Sequence, residues 1–150
     1  MAPRILVPVD ESDNARDAFE FAATTWPDAR LVVLHVVDPF DVTGDLEGAS
    51  VTGDALKARG EQAMTFLESY EERDDDHAGI VETEVRYGDP SRAILGAVDD
   101  FGIDHVVMGS AGKSGMGRVL MGSVAETVSK RCPVSVTIVR PSKTGETASG

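Results

Sequence analysis

From residue 109 the chain reads Gly-Ser-Ala-Gly, then nine residues, then Gly122-Ser123. Glycines so spaced can bring several backbone N–H groups to one point, and a helix starting at Ser123 adds the positive end of its dipole. Such a cradle suits an anion, and a phosphate above all. Lys113 and Arg118 are the only basic residues between Gly109 and Ser123, placed to offset phosphate charge. Two better-known phosphate loops do not apply. Gly112-Lys113-Ser114 ends like a Walker A motif, but Val107 stands where that motif needs its first glycine. No G-x-G-x-x-G follows the first apolar run, so a dinucleotide fingerprint is missing.

Asp10 closes that first run, Ile5-Leu6-Val7-Pro8-Val9. A carboxylate beside a phosphate is repulsive, so Asp10 suits the hydroxyls of a ribose instead. It also heads the cluster Glu11-Ser12-Asp13-Asn14 and reads equally as a residue leading a helix. His35, inside the second apolar run, reads as a hydrogen-bonded core residue before a ligand. His77 follows Glu71-Glu72-Arg73-Asp74-Asp75-Asp76, a stretch that reads as a solvated turn before a metal site. Cys132 is the single cysteine, which excludes an intrachain disulfide, and it reads as a small buried apolar residue.

These residues need elements to hold them. Apolar runs predict strands over residues 5–9, 31–37, 103–108 and 134–139. Residues 80–87 alternate strictly, with Val81, Thr83, Val85 and Tyr87 on one face and Glu82, Glu84 and Arg86 on the other. That is the pattern of a half-exposed edge strand. Helical spacing links Ala15, Ala18, Phe19, Ala22 and Ala23, then Ala63, Phe66, Leu67 and Tyr70, then Ile94, Ala97, Val98 and Phe101. Gly88-Asp89-Pro90 supplies a turn, an N-cap and a first-turn proline, and Gly102 a helix stop. Ser123 is expected to cap the fourth helix, whose last turn carries Lys130 and Arg131. The connection over 38–53 is long enough to cover a binding site. The expected organisation is one domain over residues 1–141 and a polar, disordered tail over 142–150. Alternating strands and helices imply an α/β fold, a parallel sheet with helices on both faces. Ligands of such sheets bind beyond the carboxyl ends of the strands, where strand order reverses. If the first and fourth strands meet there, Asp10 and Gly109 face one crevice.

Composition bounds the rest. The 150 residues are 41% hydrophobic and 27% charged, an ordinary globular balance. No run approaches the roughly 18 apolar residues that span a bilayer, and residues 1–9 lack the architecture of a secretion signal, so a cytoplasmic location and no membrane contact are expected. The net charge is −12, with 15 of 26 acids Asp and only four of 14 bases Lys. This lysine-poor acidity suits work in concentrated salt, where screening is short-ranged, and is also compatible with simple solubility. Nucleic-acid binding is not expected without a cationic footprint.

The pattern Gly109-x2-Gly112-x9-Gly122-Ser123, preceded by Val106-Val107-Met108 and followed by Val124, resembles the ATP-binding signature of the universal stress protein family. Ile5-Leu6-Val7-Pro8-Val9-Asp10, Leu34-His35-Val36-Val37 and Gly88-Asp89-Pro90 resemble the same family. The resemblance spans residues 3–140. It implies a five-stranded sheet of order 3-2-1-4-5, an adenine nucleotide alpha hydrolase-like fold. It implies ATP with Pro8, Asp10, Val37 and Met108 near the adenosine, and Gly109, Gly112, Gly122, Ser123 and Val124 near ribose and phosphates. A divalent ion, Mg2+ or Mn2+, would be held by the phosphates. It also implies a homodimer pairing residues 134–139 antiparallel, where Val134, Val136 and Ile138 alternate with Ser135 and Thr137. The leading expectation is an ATP-binding stress or regulatory protein with a downstream protein partner that the chain does not identify. An ATP hydrolase or phosphotransferase ranks lower, since no residue of the loop is an evident general base. An interaction module with an empty site leaves the glycine spacing without a reason.

Overall fold

Nearly unbroken apolar runs make the middle of the sheet. In the computed structural model, which describes residues 2–40, 53–72, 77–110 and 121–141, Ile5–Val7 and Leu31–Leu34 are at most 2% exposed. They belong to β1 (Arg4–Pro8) and β2 (Arg30–Val37), which are followed by β3 (Val81–Tyr87), β4 (His105–Gly109) and β5 (Ser135–Val139). All pairings are parallel and the order is β3-β2-β1-β4-β5, as expected.

Among the described residues, four helices sandwich the sheet: α1 (Asp13–Thr25), α2 (Gly53–Glu71), α3 (Pro90–Asp100) and α4 (Ser123–Arg131). The alanine stripe of α1 lets it lie close to the strands, and with α2 it covers Ile5, Val7, Leu31, Val33 and Val107. Phe19 and Tyr70 join the two helices edge to face at 4.9 Å. On the other face α3 and α4 bury Ile94, Ala97, Val98, Ala125 and Val128 against Leu6, Val32, Leu34, Val106 and Met108. Two turns require glycine: Gly88 at φ +130° before α3, and Gly102 at φ +61° after it.

β3 is the edge strand its alternation predicts, with no buried residue. Arg86 is tied to Asp100 at 2.8 Å and lies over the Phe101 ring. The β1–β2 ladder runs from Arg4↔Arg30 to Pro8↔Leu34, but the β1–β4 ladder holds only Ile5↔His105 and Leu6↔Val106. The seam between β1 and β4 therefore opens toward the carboxyl ends, at the point where strand order reverses.

Three local expectations are corrected. Gly122, not Ser123, is the N-cap of α4, and Ser123 is the first helical residue. A Ser next to a Gly is the stronger capper by preference, but here backbone pairing to Ser110 fixes where the helix starts. His77 is not simply a solvated turn residue: its ring is half-buried, with Nε2 2.7 Å from the Ala29 carbonyl. Cys132 is half-buried at the end of α4. Residues 41–52, 111–120 and 142–150, which contain most of the long connection, most of the glycine loop and the tail, lie outside the described residues.

Candidate functional site

The helices that follow β1, β3 and β4 begin at the carboxyl edge of the sheet, and two of these three close their own N-termini. Ser12 Oγ accepts from the Ala15 N–H at 3.1 Å, and Asp10 Oδ1 accepts from the Ser12 N–H at 2.9 Å. Both readings of Asp10 therefore meet in one place, since the carboxylate that helps open α1 also borders the crevice. At α3, Asp89 Oδ2 accepts from the Arg92 N–H at 3.1 Å, and proline stands at the start. The N-terminus of α4 is different. Its cap is Gly122, and among the described residues no side chain accepts from its first turn. Unused N–H groups at a helix start carry about half a positive charge.

The chain on either side of the glycine loop is stapled to the sheet and to itself. The Ser110 N–H donates to the Val139 carbonyl at 2.9 Å, and the Ser110 carbonyl accepts from the Gly122 N–H at 2.7 Å. This sets the start of α4 over the end of β4. Gly122 sits at φ −66° and ψ 162°, a conformation any residue adopts. Gly109 is glycine for a packing reason: a Cβ there would lie 2.6 Å from Asn14 Oδ1. Asn14 is 5% exposed and its amide donates to the Val139 carbonyl at 3.0 Å, locking α1 to the ends of β4 and β5.

Between these parts lies a cavity of about 650 Å³, within the range of small-molecule sites. Pro8, Asp10, Val37, Met108, Gly109, Gly122, Ser123 and Val124 all line it. Asp10 and Gly109 thus do share the crevice at the β1–β4 seam. Gly112, Lys113 and Arg118 lie outside the described residues. Val37 is present in the wall, but its carbonyl accepts from the Gly88 N–H at 3.0 Å and its side chain packs on Ala63.

Sequence reasoning missed a whole wall. Arg59, Gln62, Ala63 and Phe66 of α2 line the cavity at helical spacing, and Arg59 adds a cation to a lining that also includes Asp10, Glu11 and Asp38. Val36 and His35 line it as well. The Val9 N–H donates to the Leu34 carbonyl at 2.8 Å, so the backbone of Leu34 points to the β1 side. By the alternation of a strand, the N–H and C=O of Val36 point the same way, beyond the last β1–β2 rung. His35 turns its side chain to the α2 face, with Nδ1 2.9 Å from the Val9 carbonyl and the ring edge-on to Phe66. It is hydrogen-bonded, as expected, yet it also borders the cavity.

What this arrangement can do chemically follows from its parts. An open helix start and a glycine turn suit a phosphate, a carboxylate suits sugar hydroxyls, and a strand edge with one donor and one acceptor suits the edge of a base. Comparison with known proteins agrees on the scaffold. The model of the universal stress protein family matches residues 1–140. Universal stress protein MJ0531 of Methanocaldococcus jannaschii is 32% identical over 147 residues, spanning 93% of this chain and 84% of that protein. The solved structure of MJ0577 from the same organism superposes with a TM-score of 0.79 at 29% identity, covering 95% of this chain and 98% of the other. A family protein from Arabidopsis thaliana, solved with AMP bound, shares the fold at 16% identity, with a TM-score of 0.62 over 95% and 94% of the two chains. Strand order, the matched span and these likenesses agree: the chain belongs to the universal stress protein family.

Proposed function

We propose that this protein binds an adenine nucleotide, ATP in the first place, and acts in the cytoplasm as a nucleotide-dependent stress or regulatory protein. The observation that carries this reading is the uncapped start of α4 opening onto the same cavity as Asp10. The phosphates meet the N–H groups of Ser123 and Val124, the Ser123 hydroxyl and the turn that begins at Gly109. Asp10 receives the ribose hydroxyls, with Pro8 and Met108 as apolar contacts. Val37 contributes its side chain, whereas the base edge is met by Val36, whose N–H and C=O match the N1 acceptor and N6 donor of adenine. Gly112 and the cations Lys113 and Arg118 complete the phosphate side. The AMP held by the Arabidopsis protein supports the choice of an adenine ligand. Among the described residues there is no group of three His, Cys, Asp or Glu placed to hold a metal. In this reading Mg2+ or Mn2+ enters with the polyphosphate, held by its oxygens.

The test is equilibrium titration with ATP, AMP and GTP in high salt with Mg2+, followed by phosphate release. Micromolar ATP binding without turnover is the expected result. Rapid multiple turnover moves the reading to an ATP hydrolase, and absence of binding removes the nucleotide altogether. Gly122→Val keeps the fold, because the backbone there accepts a side chain, and loses binding, because that side chain fills the phosphate's place.

Two further parts of the reading concern the surface. β5 is the second edge of the sheet, and no residue from Ser135 to Val139 is charged. A homodimer forms by antiparallel pairing of this edge with its twin, which light scattering tests. The net charge of −12 adapts the chain to a saline cytoplasm. Unfolding on transfer to dilute buffer is expected, and full stability there would contradict it.

A further inference from the structure

The β1–β2 ladder ends in a way that a regular sheet does not require. After Pro8↔Leu34 and the 2.8 Å bond from the Val9 N–H to the Leu34 carbonyl, the next rung of a parallel ladder would run from the Val36 N–H to the Val9 carbonyl. That carbonyl instead meets His35 Nδ1 at 2.9 Å. A carbonyl can only accept, so the proton sits on Nδ1. The ring is steadied by Phe66, edge-on at 5.4 Å and 85°. The Val9 carbonyl is thereby engaged by a side chain of the α2 face instead of by the Val36 N–H.

Resting on the nucleotide reading above, we propose that His35 is a positioning residue for base recognition: its Nδ1–H draws the Val9 carbonyl out of the β1–β2 ladder and keeps the Val36 N–H and C=O open to a purine edge. The imidazole does not touch the base in this role. It stops the two strands from zipping one rung further, which would spend the donor that reads the base. It also fixes the direction in which the chain enters the Asp10 turn, so base and ribose contacts are set by one hydrogen bond.

The proposal has consequences with and without ligand. In the ligand-free protein, long-range proton–nitrogen spectra show His35 with its proton on Nδ1, the less common form of free histidine. The Val36 amide exchanges with solvent faster than that of Leu34. His35→Leu lets the ladder close, so the Val36 amide becomes protected, ATP affinity falls about tenfold and the preference for ATP over GTP shrinks. His35→Asn offers an N–H at the same distance along the side chain and restores both affinity and selectivity to within about threefold of the parent. A proton on Nε2, or a Val36 amide as protected as Leu34, overturns the role of His35 even if ATP binds well. Where His35→Leu does not fold, the tautomer and exchange of the parent protein and the His35→Asn titration still decide. Failure of the parent protein to bind any nucleotide, with the tautomer and exchange as expected, overturns the nucleotide reading and the base-recognition role with it.

Discussion

The helix starts of α1 and α4 stand on either side of the β1–β4 seam and solve the same problem in opposite ways. At α1 the chain satisfies its own N–H groups, through Ser12 Oγ on Ala15 and Asp10 on Ser12. At α4 a glycine stands where a capping side chain would, and the first turn faces the cavity. Capping by Ser or Asp instead of Ala contributes about 0.5–2 kcal/mol, while Gly lags the best caps by a few tenths. The α4 terminus thus gives up a little stability and keeps its donors for something from outside. A helix start is a structural device at one address and a receptor at the other.

The largest effect comes from erasing this difference. Gly122→Asp gives α4 its own cap, so thermal unfolding shifts upward slightly while ATP affinity falls by about 100-fold or more, the carboxylate competing with and repelling phosphate. Retained binding in this variant would mean that the phosphates sit elsewhere. Next comes the glycine that is there for packing. Gly109→Ala drives a Cβ into Asn14 and costs about 1–3 kcal/mol in denaturant unfolding. Combining it with Asn14→Ala relieves the clash, so the two losses are not additive. Ser12→Ala, at the closed terminus, costs about 1 kcal/mol and lowers the melting temperature by roughly 2–4 °C, with ATP affinity unchanged. A loss of affinity there would blur the contrast between the two termini.

The smallest effect serves as a control at the opposite edge of the sheet. His105 begins β4, with Nε2 2.7 Å from Thr137 Oγ1 and its ring against Trp26, and burial holds it below its ordinary value of 6.5. The unfolded chain takes up this proton first as pH falls. Its contribution to stability is therefore complete above about pH 6.5 and declines from there down to the lowered folded value. Melting temperatures measured between about pH 8 and 5 should show this slope, and His105→Gln should flatten it.

The strands and two of the helix starts were legible in the residues because they depend on local pattern. Apolar runs marked β1, β2 and β4, alternation placed β3 at an edge, and Ser12, Asp89 and Pro90 announced α1 and α3. Of the family's glycines, Gly109 and Gly122 line the cavity at the β1–β4 seam. What stayed hidden depends on contacts between distant segments. Gly109 reads as a phosphate residue until Asn14, on another element, is found against it. Ser123 reads as a cap until Ser110 is seen to hold the Gly122 N–H. Ala63 and Phe66 read as part of a buried helix face, and nothing local says that they border a cavity together with Arg59 and Gln62. Val37 and Val36 differ only in which neighbour their backbone addresses, a matter of register that an apolar run does not encode.

The 2.7 Å bond between the Ser110 carbonyl and the Gly122 N–H has a consequence for how such a chain can change over generations. Ser110 and Gly122 are held together whatever sequence stands between them, so the intervening residues can be exchanged like a cartridge. Doubling the length of such an excursion adds only about 0.6 kcal/mol of closure cost. Ligand preference can then drift through that cartridge while the socket, built from Asn14, Ser110 and Val139, stays as it is.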